Sequence, residues 1–485
     1  MSRIVILGAG ISGHTVARYL NKFVGKQHEI IIVSPNSKWN WIPSNIWVGV
    51  GQMTEEQVTF DLAQVYKKTN VDFRQAKAIS IHPEGEDGST TPFVTVEYTL
   101  PGKVGIQENI TYDFLVNATG PKLNFAATEG LGPDHGHTVS VCTFGHAQEA
   151  NHKLQANIAA MRKGENRTFV IGTGHGMCTC QGAAFEYIYN VDHVLREAGV
   201  RDKAKIVWIS NEYELGDFGM GGVHINRGGY VTNGKVFAES LMVERDIQWI
   251  TRAHVKKVEA GKIHYETLEG TFHELAFDFS MLIPPFAGVG LKAFNNANED
   301  ITSQVFAPNG FMKVDADYTA RPFMEWSAKD WPRTYQTPSY RNIFAVGIAF
   351  APPHMISKPM QSPNGTPINP TAPRTGMPSA SMAKAVAMSI RDMLNGAEKP
   401  THTASMAEMG AACVASTGSH IFKGTAATMT VFPVVPDYEK YPEYGRDMEL
   451  TFGEIGLAGH WMKYLLHHAF IYQAKLRPGW SILPD

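Results

Sequence analysis

The chain has 485 residues, 44% of them hydrophobic and four of them cysteine, with a formal charge of −3. That length buries a large core over two or three domains, and the near-neutral balance gives no general pull toward nucleic acid. Four cysteines are too few for a disulfide-framework fold, so any disulfide here is expected to be functional; no apolar run reaches the roughly 18 to 20 residues of a membrane span.

Arg3–Leu7 reads as a buried parallel strand with no charged, apolar and cleavable leader before it, so no standard secretory signal is expected. It opens into Gly8-Ala9-Gly10-Ile11-Ser12-Gly13, an apolar-periodic helix to Phe23 and a second strand at Glu29–Val33. Strand, GxGxxG, helix and strand within about 30 residues is the dinucleotide fingerprint in its required context. Gly8 permits the tight turn, Gly10 lets backbone approach a pyrophosphate, and Gly13 lets helix pack close to strand. The second strand ends at Ser34-Pro35-Asn36 instead of the usual acid, leaving hydroxyl and amide groups to bind a ribose. Trp39–Trp47, WNWIPSNIW, is an aromatic loop that lies either over the bound cofactor or over the core.

Val71–Ile81 predicts a strand, and Phe93–Leu100 with Ile110–Tyr112 a hairpin. Asp113–Gly120, DFLVNATG, is an apolar strand ending in Ala118-Thr119-Gly120, the phrase that closes the first flavin half-site in two-dinucleotide-domain flavoproteins. Cys142 lies in SVCTFGHA, just before a helix over Ala147–Arg162.

The stretch Val170–Tyr187, VIGTGHGMCTCQGAAFEY, is central. A strand over Arg167–Ile171 enters a turn of Gly172, Gly174 and Gly176, with Met177 where the third fingerprint glycine belongs. Cys178 and Cys180 stand where a helix through Ala198 should begin, and the strand Lys205–Ser210 follows. A helix start presents unpaired N–H groups and a positive dipole end, which favour an anion or a thiolate. The turn reads as converted from holding phosphate to holding reactive sulfur, yet Glu212 could still contact a ribose, which keeps an NADH-dependent alternative open.

Further on, Tyr230–Glu244 predicts a helix, Gln248–Thr267 two strands, and Asp278–Pro285 a strand entering Pro284-Pro285-Phe286. Arg341–Phe350 predicts a strand ending at Gly347, where Ile348 replaces the ribitol-binding aspartate of disulfide reductases. Ala351–Pro378 is proline-rich, and a loop of that length is either a functional lid or entry wall or an ordinary insertion. Met377–Leu394 predicts a helix with Pro378 near its start, and Ala411–Gly418 carries Cys413. Glu454–Lys475 combines Ile455, Leu457, Trp461, Tyr464, Leu465, Phe470 and Tyr472 with His460, Lys463, His467, His468 and Lys475. That mixture suits an interfacial helix dipping into lipid headgroups, although a helix packed on its own protein has the same pattern.

GAGISG, DFLVNATGP, SVCTFGHA, CTCQGAAFEY, LIPPFAGV, NIFAVGIAF, PRTG and AACVASTG together resemble the sulfide:quinone oxidoreductase family over almost the whole chain. Three cysteine contexts in the same order are the specific part. The resemblance implies an α/β fold: two Rossmann-like dinucleotide-binding domains with a C-terminal amphipathic helical membrane-docking region. It divides the chain into an FAD domain (1–145 with 275–395), a second Rossmann-like domain (146–274) and a cysteine-bearing, membrane-docking region (396–485). Cys180 and Cys413 match the redox pair beside the flavin and Cys142 the third cysteine, while Glu186 and His146 match acid/base candidates. Asp217 stands where several relatives carry histidine, and Cys178 has no counterpart. The FAD site is expected at Gly8, Gly10, Ile11, Ser12, Gly13, Ser34, Pro35, Asn36, Pro43, Ala78, Thr119, Gly120, Pro285, Gly347, Thr375 and Gly376, and the quinone side at Phe470 and His468.

The implied chemistry is two-electron oxidation of sulfide to zero-valent sulfur or polysulfide, with FAD passing the electrons to a membrane quinone. A monotopic protein on a lipid surface, not bound to nucleic acid and open to homo-oligomer formation, is expected. The alternatives are a type II NADH:quinone dehydrogenase, a haem-coupled sulfide dehydrogenase, and a flavin-bound redox sensor or scaffold without turnover.

Overall fold

The computed structural model describes residues 1–373 and 376–483. The first fingerprint forms as read, with β1 (Arg3–Leu7), α1 (Ile11–Val24) and β2 (Glu29–Ser34). It continues through β3 (Val71–His82), β4 (Phe93–Tyr98), β5 (Gln107–Thr111) and β6 (Phe114–Asn117). The second unit runs α2 (Phe144–Arg162), β7 (Arg167–Thr173), α3 (Gln181–Glu197) and β8 (Ala204–Ile209). Next come β9 (His224–Arg227), β10 (Tyr230–Asn233), α4 (Gly234–Glu244), β11 (Ile247–Ile250) and β12 (Phe279–Ile283). The chain closes with β13 (Ile343–Ala345), α5 (Gly376–Leu394), β14 (Ala411–His420), β15 (Lys423–Val431), β16 (Phe452–Gly456) and α6 (Leu457–Ala474).

The first sheet has the order β13-β6-β1-β2-β3-β4-β5, and the second β11-β8-β7-β12. The strands of the second sheet are all parallel, as are β13 through β3 of the first. Continuous apolar runs such as Ile4–Leu7 and Phe169–Ile171 are fully buried because both sheet faces are covered: in the second sheet Phe169 and Ile171 pack under α2 and α3, and Val170 under the antiparallel strands Ala253–Glu259 and Lys262–Thr267. In each sheet the glycine turn follows a central strand, at the carboxyl edge where such folds bind their ligands.

Two expectations are corrected. Tyr230–Glu244 is not one helix: Gly228 and Gly229, with φ 60 and 87, turn a β9–β10 hairpin, and Asn233 then caps α4 by accepting the Lys235 N–H at 2.8 Å. Gln248–Thr267 contributes to three strands, since Ile247–Ile250 joins the second sheet while Ala253–Glu259 and Lys262–Thr267 pair antiparallel with each other. A third sheet, in the order β10-β9-β16-β15-β14, crosses the expected boundary between 146–274 and 396–485.

Candidate active site

Three segments meet above β1. Around the first turn, a Cβ at Gly13 would stand 1.8 Å from the Gly8 carbonyl oxygen and one at Gly8 2.2 Å from that of Ala118, whereas one at Gly10 meets nothing within 4 Å. Two glycines therefore close the turn and the third borders open space. No side chain caps the α1 start at Gly10 and its first turn carries no acid, so its N–H groups suit a pyrophosphate. Gly347, at φ +66, presses on Ser12, whose hydroxyl donates to the Ser379 carbonyl at 3.3 Å. A Cβ on Gly376 would lie 3.6 Å from Ile11 and 4.0 Å from Trp41, so the start of α5 joins the same crevice. Trp39, Trp41 and Trp47 are buried, and Trp41 both fills core and lines this edge.

The remaining cofactor candidates lie around that rim. Ser34 is buried at the end of β2 and accepts the Asn36 N–H at 3.3 Å, while the Pro35 carbonyl accepts from Thr99 at 2.8 Å. Ala78 lies past the Ser34–Gln75 pairing, on β3, and Pro43 sits in the turn Ile42–Ser44. Thr119 is fixed by Asn117 at 2.8 Å, Gly120 has φ +68 with open space beside it, and the Pro285 carbonyl accepts the Asn124 N–H at 3.0 Å. Thr375 lies outside the described residues. The open Gly10 cradle at a sheet switch point fits FAD.

The thiols converge on the start of α3. Cys180 is its N-cap, held at φ 63 and ψ 33, a left-handed conformation that costs an L-residue about 1–2 kcal/mol. Cys413 arrives on β14, in register with Met429. Its Sγ lies 2.8 Å from where a Gly182 Cβ would stand, so it rests on the first turn of α3, within electrostatic reach of Cys180. Cys142 lies within the same reach of Cys180. These three are half-buried, and burial pushes Cys142 up to about 11 and Cys413 up to about 12. Cys178 differs: it is fully buried, its thiol donates to the Ile283 carbonyl at 3.0 Å, and burial holds it far from ionising. It is a packed core side chain.

Glu186 sits against the strand that carries Cys413. Its carboxylate is buried beside β14, where it accepts the Ser416 N–H at 3.2 Å and Lys463 Nζ at 2.5 Å. Burial raises its pKa against the pull of Lys463, and its charge adds to the rise at Cys413 while Lys463 opposes it. A negative charge there disfavours a thiolate, whereas the Lys463 ammonium favours one. His146, at the start of α2, turns its ring to Asp134 at 4.0 Å and Phe125 at 5.9 Å, and burial lowers its pKa. Behind Cys413 lies only a small void of about 10 Å³, walled by Phe185, Phe218, Phe237, Ala415 and Met429.

The second glycine turn is filled by protein. A Cβ at Gly172 would meet the Ile209 carbonyl at 1.8 Å, one at Gly174 the Leu131 side chain at 2.6 Å, and one at Gly176 the Pro367 carbonyl at 2.2 Å. The proline-rich segment lies on the turn: Asn369 N–H donates to the Gly176 carbonyl at 2.7 Å and Thr371 N–H to that of Cys178 at 3.0 Å. Asp217 anchors the segment by accepting from Ser357 at 2.5 Å, and Glu266 accepts from Ser362 at 2.5 Å and Thr366 at 2.6 Å. Glu212 is fully buried and bonded to Ser210 at 2.6 Å and the Phe218 N–H at 2.8 Å, which removes it as a ribose ligand.

Helix α6 has two opposed faces. His460, His467, Phe470 and Ala474 are buried along one stripe with Lys463. His460 bonds Ser416 at 2.6 Å and the His420 carbonyl at 2.9 Å, His467 bonds Ser44 at 2.8 Å, and Phe470 stacks on Trp41 at 4.5 Å. Trp461, Met462 and Leu465 are exposed at 41%, 41% and 63%, beside Phe422 at 83% on the β14–β15 turn. His460, Lys463 and His467 therefore face inward, while the outward face carries Trp461, Met462 and Leu465 together with His468. His468 is on the outward side, ring edge to His467 and Tyr464, so the inward histidine near Phe470 is His467.

A twin-turn sheet pair with an open first cradle and cysteines on the second turn defines a flavoprotein oxidoreductase of the pyridine nucleotide-disulphide class, and that family's profile matches residues 2–205. The chain is 30% identical over 483 residues, 99% of its length and 92% of the relative's, to a sulfide-quinone reductase from Aquifex aeolicus. It belongs to the sulfide-quinone reductase family. A crystal structure of the sulfide:quinone oxidoreductase from Aquifex aeolicus superposes with a TM-score of 0.74 at 28% identity, covering 98% of this chain and 92% of that one. A mitochondrial sulfide:quinone oxidoreductase of Dictyostelium discoideum is 27% identical over 206 residues, 42% of this chain and 41% of the relative. A Plasmodium falciparum structure in complex with NADH shares the fold at a TM-score of 0.60 and 14% identity, covering 99% of this chain and 97% of that one.

Proposed function

We propose that this chain is a sulfide:quinone oxidoreductase in which Cys180 and Cys413 form the sulfur-handling pair. The observation that carries the reading is the Cys413 thiol seated on the first turn of α3 beside a strained Cys180, in a chain whose second nucleotide turn is filled by Pro367. Bound FAD supplies a two-electron acceptor. Sulfide attacks the bridged pair, leaving a persulfide on one cysteine and a thiolate on the other. A second sulfide takes the outer sulfur as a disulfanide, and re-forming the bond between two thiolates releases two electrons. Repeated transfer lengthens the product toward polysulfide.

Phe470 and Trp41 supply the aromatic wall on which a quinone ring stacks. Trp461, Met462, Leu465 and Phe422 form the lipid-facing patch through which it arrives. No helix among the described residues is long and apolar enough to cross a membrane, which accords with docking at the surface.

The test is anaerobic addition of sulfide or NADH to the purified holoenzyme while flavin absorbance is followed. Sulfide alone is expected to bleach it, and a soluble quinone analogue to restore it over many turnovers. Bleaching by NADH alone would return the choice to the NADH dehydrogenase; bleaching without turnover would favour the sensor.

A further inference from the structure

The buried pair Glu186–Lys463 belongs to no step above, yet it touches the strand that carries Cys413. Lys463 comes from α6, whose outward face carries the exposed Trp461 and Leu465, and reaches inward to a carboxylate on α3. The two side chains are 13% and 5% exposed, so solvent screens them little. Glu186 holds the Ser416 N–H, on the same strand as Cys413, while the Ser416 hydroxyl bonds His460 of α6. The lysine also lies 5.6 Å over the Trp47 ring, which fixes its approach.

We propose that Lys463 is a positioning residue for the chemistry at Cys413: it reaches from α6 to hold the Glu186 carboxylate against the thiol-bearing strand and balances its charge there. This rests on Cys413 being a reacting thiol. Around that thiol stand Glu186, Lys463, Cys180 and Glu212, with Tyr189 from α3; His460 faces the strand through Ser416. Within that set Lys463 is the cation that favours the thiolate, and Glu186 the strongest of the charges that oppose it. The two members of the pair therefore act on the thiol in opposite directions. A role limited to packing would damage the site in the same direction whichever partner was lost.

The experiment uses the FAD-bound, thiol-reduced protein and follows alkylation of residue 413 by iodoacetamide against pH, read by mass spectrometry. Lys463→Met is expected to slow alkylation roughly tenfold near neutrality and move its profile to higher pH. Glu186→Gln is expected to quicken it and move the profile down. Lys463→Arg should follow the parent, and the double variant Glu186→Gln with Lys463→Met should recover much of the loss. Parent-like profiles in both single variants, or slowing in both, would overturn the proposal. Should Lys463→Met fail to retain FAD, Glu186→Gln decides: an unchanged or slower reaction at residue 413 sinks the idea. The alkylation arm needs no sulfide, so its failure is separable from failure of sulfide to bleach the parent flavin.

Discussion

Glu266 shows how single side chains hold this site in shape. Burial opposes its charge, but hydrogen bonds from Ser362, Thr366 and Asn364, with Lys256 at 3.5 Å, outweigh burial and hold its pKa at about 2. A carboxylate depressed below its unfolded value of about 4.3 contributes stability that is complete above that value and is lost as pH falls toward the folded one. The thermal midpoint of the parent is therefore expected to fall between about pH 4 and pH 2, and Glu266→Gln to start lower at neutral pH and fall less across that window; parallel curves would refute the assignment. Gly10 was legible from local spacing, whereas Cys413 was tied to Cys180 only through the family resemblance. The partners of Glu186 and Glu266 were not, because Lys463 lies 277 positions from the one and Ser362 lies 96 from the other. No periodicity links residues so far apart.

Among the elements, the first turn of α3 carries the heaviest constraint. Gly182 leaves room for the Cys413 sulfur, and a methyl there would stand 2.8 Å from it. Gly182→Ala is expected to push β14 off the helix and cut sulfide-driven flavin reduction by roughly 100-fold, in line with misplacement of a reacting group by about 1 Å. FAD binding, set on the other sheet, should persist, and stopped-flow reduction alongside a flavin absorbance spectrum would show both. Parent-like reduction would mean that the thiol need not sit there. Helix α3 was read from its glycine turn with its start near Cys180. Helix α6 was read as helical with its facing left open: apolar and aromatic side chains lie on both faces, so sequence alone could not tell which packed inward. Ser44, Ser416 and Trp41 decide it by offering partners to one side only.

At the scale of the whole molecule, the outward patch and the thiol site are separate surfaces joined by one helix. Trp461→Ser with Leu465→Ser is expected to lower sedimentation with phospholipid vesicles at least tenfold, each loss removing about 2 kcal/mol of apolar burial. Turnover with a soluble quinone analogue should stay near the parent rate, and equal loss of both would mean that the patch is structural. The twin-sheet architecture was legible because each glycine turn announces its own unit. The third sheet was not, since β9 and β16 pair through the single register Asn226↔Phe452, across most of the second half of the chain.

That pairing bears on how the protein is born. A growing polypeptide can complete the first fingerprint early, because β1, α1 and β2 are neighbours in time as well as in space. The cradle of Cys413 has no such luck: β15 must wait for β16, and Lys463 arrives later still, on α6. A nascent chain thus acquires its first nucleotide turn well before its thiol cluster, since Cys180 must wait for β14 to bring Cys413.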